Sequence, residues 1–188
     1  MSKIDTIKGT FKKGEGILKL IPTFIPRNFS KPGQRLRLHP DDYFALGMER
    51  GAIKERWFSS IIVAQNGKLA AKDEGMSYVA VTDNVADKVL FKDFIDTLGA
   101  EIIGDELIRR YGTWPMFAKF FDYNEPLFHH LHLTQAAADM VGKMCKPEAY
   151  YFPPQLNNHM GTSPYTYFGF DSSVTKAEVR EKVEKFLK

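Results

Sequence analysis

The sequence predicts a mainly β protein with helices, of the α+β class. Three observations carry this. Short apolar or alternating runs at 17–25, 35–38, 56–64, 78–81 and 149–152 are separated by turn signals such as Pro32-Gly33 and Asn66-Gly67. Between about 84 and 110, Val89, Leu90, Phe94, Leu98, Ile102, Ile103, Leu107 and Ile108 fall near helical spacing, with a break at Gly99. From about 174 to 188 a C-terminal helix opens on Thr175-x-x-Glu178 and sets Val179, Val183, Phe186 and Leu187 on one side. With 188 residues, the expectation is a single domain, 1–188, able to bury a substantial core.

The elements follow in order. Residues 1–16 are rich in Lys and Gly and are expected to be poorly fixed. The run 17–25 is interrupted by Pro22 and reads as an edge strand. Residues 35–38 alternate and read as a short strand. His39-Pro40-Asp41-Asp42 then starts a helix to about Met48, with His39 a cap residue rather than a substrate contact. Residues 56–64 read as a strand ending in the Asn66-Gly67 hairpin turn, and 78–81 as another strand. Arg109-Arg110 suit the negative end of a helix dipole better than a phosphate. A strand runs through His132, 134–143 is a short helix or loop, and 149–152 and 166–170 are strands around a polar loop at 155–161. His159 in that loop reads as solvated rather than as a ligand.

Composition excludes several function classes. The net charge is +3 and the basic residues are scattered, so no nucleic-acid stripe is expected. A lone Cys145 rules out an internal disulfide framework and suits a reducing compartment. The N-terminal residues lack the apolar core of a signal peptide, and no run is long and apolar enough to span a bilayer. The expected location is cytoplasmic, with no membrane partner.

The chemistry concentrates in 116–152, which holds three of the five histidines and the single cysteine. In a strand, side chains repeat every second residue, so His130 and His132 share a face and can reach one ion. Glu148 lies at the start of a second apolar segment and supplies a carboxylate. Two imidazoles and one carboxylate suit zinc (Zn2+) or another divalent transition metal. The competing reading makes the histidines a half-buried structural pair. The run Phe117, Phe120, Phe121, Leu127 and Phe128 before them favours partnered groups, because polar side chains in apolar surroundings require partners. Cys145 has no evident activating neighbour.

These residues carry a family resemblance. Pro115-Met116-Phe117-Ala118-Lys119-Phe120-Phe121-Asp122, then Glu125-Pro126-Leu127, His130-Leu131-His132 and Lys146-Pro147-Glu148 resemble the class I mannose-6-phosphate isomerases, zinc enzymes of the cupin superfamily. Glu55-Arg56-Trp57-Phe58-Ser59-Ser60 is similar to an upstream motif of that family. The likeness spans roughly 35–152. It departs where the family has Gln and this chain has His130, and where the family has Pro and this chain has Leu133. The usual cupin glutamate shortly after His-x-His is absent, so Glu148 takes the acid role in the resembled arrangement.

The resemblance implies a cupin-type jelly roll with a helical insertion at about 84–110. It implies a zinc-dependent aldose–ketose isomerase of a phosphorylated hexose, converting mannose 6-phosphate to fructose 6-phosphate. His130, His132 and Glu148 then hold the metal, Lys146 is catalytic and contacts a small-molecule sugar phosphate, and Trp57 lines the substrate pocket. Trp57 also reads as an ordinary core residue, and Lys146 as a surface lysine. The later strands of a jelly roll, with their histidine and arginine, have no counterpart before the helix ending at Lys188, so the expectation is the N-terminal portion of an incomplete roll. Two alternatives stay open. Two histidines and a carboxylate are also the facial set of a non-haem Fe2+ oxygenase, and a sugar-binding cupin without turnover uses the same residues.

Overall fold

The structure, a computed structural model, describes residues 2–154 and 169–186. The polar loop with His159 and most of the strand expected at 166–170 lie outside the described residues. The length predicts one domain; the chain divides into two compact units, Met1–His129 and His130–Lys188. The described residues form a mixed α+β fold with five α-helices and two three-stranded antiparallel sheets, and no closed barrel is present among them. No helix among them is long and apolar enough to cross a membrane.

The first unit opens with a helix where the sequence predicts a loose terminus. Helix α1, Lys3–Lys13, is fixed by a reciprocal cap: the Asp5 N–H donates to Ser2 Oγ at 3.1 Å and the Ser2 N–H to Asp5 Oδ2 at 3.1 Å. The signal was present as Ser2-x-x-Asp5, with aspartate in the place usually taken by glutamate. Ile7, 1% exposed, anchors the helix in the core.

Strands β1 (Leu20–Ile21) and β2 (Thr23–Arg27) are separated by Pro22 and enter different sheets. Strand β1 pairs with β4 (Tyr78–Ala80), which pairs with β5 (Lys88–Leu90). Strand β2 pairs with β3 (Ala52–Phe58), which pairs with β6 (Ala118–Phe121). Being an edge strand, β2 tolerates Pro26, where the register slips by a bulge. In each sheet one pairing joins strands far apart in the chain, β1 with β4 and β3 with β6, which local periodicity does not reveal.

Several expected elements shift. The strand predicted at 35–38 does not form, because the N–H groups of Arg35 and Leu36 donate to the buried Asp122 carboxylate at 2.8 and 2.9 Å. The helix expected from His39 is a 3-10 turn, Pro40–Phe44, with His39 Nδ1 accepting from the Asp41 N–H at 3.4 Å. That is the cap role read from the sequence. Asn66-Gly67 begins a 3-10 turn, Gly67–Leu69, instead of a hairpin. Asn66 is held elsewhere: its Nδ2 donates to Pro26 O at 2.9 Å, and it bonds the Glu74 carboxylate. Gly51, at φ +80°, lets the chain pass Arg27 on entering β3; a Cβ there would stand 2.1 Å from the Arg27 carbonyl oxygen.

The helical segment forms as α2 (Phe91–Ile103) and α3 (Asp105–Tyr111). The break expected at Gly99 appears as a kink at Leu98, φ −126°, within α2, and a second break at Gly104, φ +86°, separates α2 from α3. Gly99 instead admits the Ile108 side chain, 2.8 Å from where its Cβ would be. The main core joins Ile7 of α1, Val79 of β4 and Phe91, Phe94, Ile95 and Leu98 of α2. A smaller cluster, Ile25, Trp57 and Ala64 with Phe117, packs on the second sheet.

Phe94 is fully buried in the main core. Phe94→Ala is expected to lower unfolding free energy by about 3–5 kcal/mol through lost transfer energy and the cavity left behind. Urea denaturation followed by far-ultraviolet circular dichroism reads this directly, and a loss under about 1 kcal/mol would show that α2 is not part of the cooperative core.

Candidate metal centre

The second unit carries the predicted ligands on irregular backbone. Its described helices are α4 (Gln135–Asp139) and α5 (Lys176–Phe186). Thr134 caps α4 by accepting the Ala137 N–H at 3.3 Å, and Ala138 is fully buried. Thr175 and Glu178 form the cap expected for α5, with the Thr175 N–H donating to Glu178 Oε2 at 2.8 Å and the Glu178 N–H to Thr175 Oγ1 at 3.3 Å.

Neither strand expected around the ligands forms. Strand β6 ends at Phe121, and 126–134 and 143–153 have no ladder partner. The reason is local: Pro126 and Pro147 lack an N–H, and each biases the residue before it. The strand argument for the pairing is therefore corrected, and it is irregular backbone that brings the two histidines side by side. His130 and His132 lie ring to ring with centroids 5.1 Å apart and an interplanar angle of 80°. Glu148 comes back across α4, its Oε2 3.1 Å from His132 Nε2.

One ligand atom from each of His130, His132 and Glu148 lies within 4.8 Å of the others. Donors 2.0–2.2 Å from a tetrahedral zinc stand roughly 3.3 Å apart. The His132–Glu148 pair, hydrogen-bonded at 3.1 Å, is close to that separation, and His130 lies within 4.8 Å of both. Two imidazole nitrogens and one carboxylate are donors that divalent transition metals accept, and here the three residues are exposed. The His132 and Glu148 side chains are 34% and 17% exposed, so the carboxylate is the better sheltered of the two.

Lys146 joins this group: its Nζ lies 3.1 Å from Glu148 Oε1, the oxygen turned away from His132. A further residue, not singled out in the sequence, is Tyr150, whose hydroxyl also bonds the Glu148 carboxylate. Burial, and then the Glu148 charge, hold the Tyr150 phenol above its usual range. The only sequence signal was its place two residues after Glu148. Cys145 is half-buried and free.

Trp57 does not serve as predicted. It lies in the first unit, 5% exposed, with its ring 4.9 Å from that of Phe117 and its indole N–H donating to Glu55 Oε2 at 2.7 Å. A Cβ on Gly75 would stand 2.8 Å from the indole ring, so backbone closes over it. No ring face is left for a sugar. Trp57 is a core residue, the other reading its sequence allowed.

Glu55 organises a buried polar network around that tryptophan. It is 2% exposed and accepts from Arg27 Nε at 2.8 Å, from Trp57 and from the Tyr123 hydroxyl. Burial alone would raise the Glu55 carboxyl, but the donors from Arg27, Tyr123 and Trp57 outweigh it and hold it below the usual carboxylate range. Tyr123 is driven well above the phenol range by burial and the Glu55 charge. Arg27 continues to Asn66 Oδ1 at 2.5 Å.

Compared with family models, curated proteins and solved structures, the chain matches none.

Glu55→Gln removes the charge but leaves Arg27 buried, and is expected to cost about 3 kcal/mol at neutral pH. The folded-state pKa of Glu55 lies below its unfolded value, so its stabilisation is present above the unfolded pKa and is lost as pH falls through the folded one. The gap between wild type and Glu55→Gln should therefore shrink between about pH 5 and pH 2. Urea titrations across that range check this; a constant gap would mean that the network does not depend on the ionised carboxylate.

Proposed function

We propose that this chain binds a divalent transition metal through His130, His132 and Glu148, and that the metal serves an aldose–ketose isomerisation of a phosphorylated hexose. The observation that carries the reading is the convergence of these ligand atoms to within 4.8 Å on backbone with no strand ladder to impose it. The substrate class comes from the resemblance of 115–148 to the mannose-6-phosphate isomerases. The cupin-type jelly roll belongs to the same proposal.

A bound divalent cation supplies a positive charge that polarises the sugar oxygens and stabilises negative charge developing there. The chain's own residues do the rest. His132 and Glu148 hold each other at 3.1 Å, which limits the freedom lost when both turn to one ion. Tyr150 orients the carboxylate from its other neighbours, the task of an outer partner at a metal site. The Lys146 ammonium, 45% exposed, is the cation free enough of burial to meet an anionic ligand beside the metal. His130 in place of the family's glutamine keeps a nitrogen donor, so ligation survives the difference.

Metal analysis of the purified chain tests the site. The expected result is about one zinc per chain, lost in His132→Ala while the far-ultraviolet spectrum is unchanged. Zinc-loaded protein should then interconvert mannose 6-phosphate and fructose 6-phosphate, with His132→Ala lowering the rate at least about a hundredfold. Iron with oxygen consumption would transfer the site to the oxygenase class. Zinc binding with sugar-phosphate stabilisation and no turnover would make it a binding protein.

A further inference from the structure

Besides the Tyr150 hydroxyl, Glu148 has two nitrogen partners. Its Oε2 faces His132 Nε2 at 3.1 Å, and its Oε1 faces Lys146 Nζ at 3.1 Å. A cation seated among the three ligands approaches from the His132 side and meets a carboxylate whose other oxygen already carries an ammonium. The two positive charges then share the one negative charge of the ligand set. Pro147 lies between Lys146 and Glu148 and fixes its own φ, so the two residues leave a restrained backbone and their side chains meet at 3.1 Å. Among the described residues, Glu148 is the one carboxylate paired with Lys146.

We propose that Lys146 sets the metal affinity of this site, acting as a neighbouring positive charge that opposes the bound cation across Glu148. The proposal rests on the reading of His130, His132 and Glu148 as ligands. Lys146 is a positioning and tuning residue in this role, since it acts through Glu148. The repulsion is moderated by solvent, because the Lys146 side chain is 45% exposed, but Glu148 at 17% is sheltered enough for it to register. The consequence is a site that loads and releases its metal more readily than the donor set alone dictates.

Zinc affinity of the full chain, measured by competition with a chromogenic chelator, decides this. Lys146→Gln leaves a polar side chain, one atom shorter, but removes its charge, and should bind zinc roughly tenfold more tightly at low ionic strength. That gain should narrow as salt is raised. Lys146→Arg keeps the charge and should stay within about twofold of wild type. Equal or weaker binding by Lys146→Gln overturns the proposal, because Lys146 then either does nothing or holds Glu148 in place. The wild-type and His132→Ala arms separate the two levels of failure. If wild type takes no zinc, or His132→Ala takes as much, the ligand set itself is wrong and the tuning role falls with it. If both behave as expected and Lys146→Gln does not, only the tuning role fails.

Discussion

The buried carboxylate of Glu55 is the constraint on which the second sheet depends. From β3 it reaches Arg27 on β2, Trp57 on its own strand and Tyr123 just beyond β6. One anion thus ties all three strands from one face. An isolated carboxylate at 2% exposure would cost several kcal/mol and would protonate instead. The guanidinium, indole and phenol remove that cost together, which makes the network an all-or-none feature of the sheet. Arg27 extends it to Asn66, and Asn66 to the Pro26 carbonyl and Glu74.

A second buried acid organises what flanks the sheet. Asp122 is fully buried, and its N–H donates to the Lys54 carbonyl oxygen at 2.8 Å. Its carboxylate collects the Arg35 and Leu36 N–H groups, and its carbonyl accepts the Gly33 N–H at 2.8 Å. The segment after Pro32 is therefore a loop wrapped on one side chain. The Glu55 and Asp122 networks add to the ladder that pairs Trp57 with Thr23 on one side and Lys119 on the other. This is why Trp57 is part of the core.

The candidate metal centre obeys different physics. Its unit has little buried apolar surface among the described residues, Ala138 being the buried one, and its ligands lie on irregular backbone. What gathers them is polar: an imidazole, an ammonium and a phenol around Glu148. In such a place the balance of charge on one carboxylate governs both local order and affinity for a cation. The same balance gives Lys146 two possible partners, the carboxylate and an incoming anion, without any change of fold.

The sequence by itself determined the α+β class (though it weighted strands over the helices that prevail among the described residues), the helical pair after Leu90, the capped C-terminal helix, the cap role of His39 and the short spacing of His130 and His132. These rest on local rules: periodicity, caps and short spacings, with the Lys-Pro-Glu run extending the last. The tertiary structure decided the rest. It assigned β1 and β2 to separate sheets and brought β6 onto β3, because strand partners are chosen by burial across long sequence distances. It turned the alternating 35–38 run into a loop by supplying Asp122 as a stronger acceptor for its N–H groups. It placed Trp57 inside and Tyr150 on Glu148, neither of which spacing reveals, because side-chain partnership depends on which buried charge needs a donor.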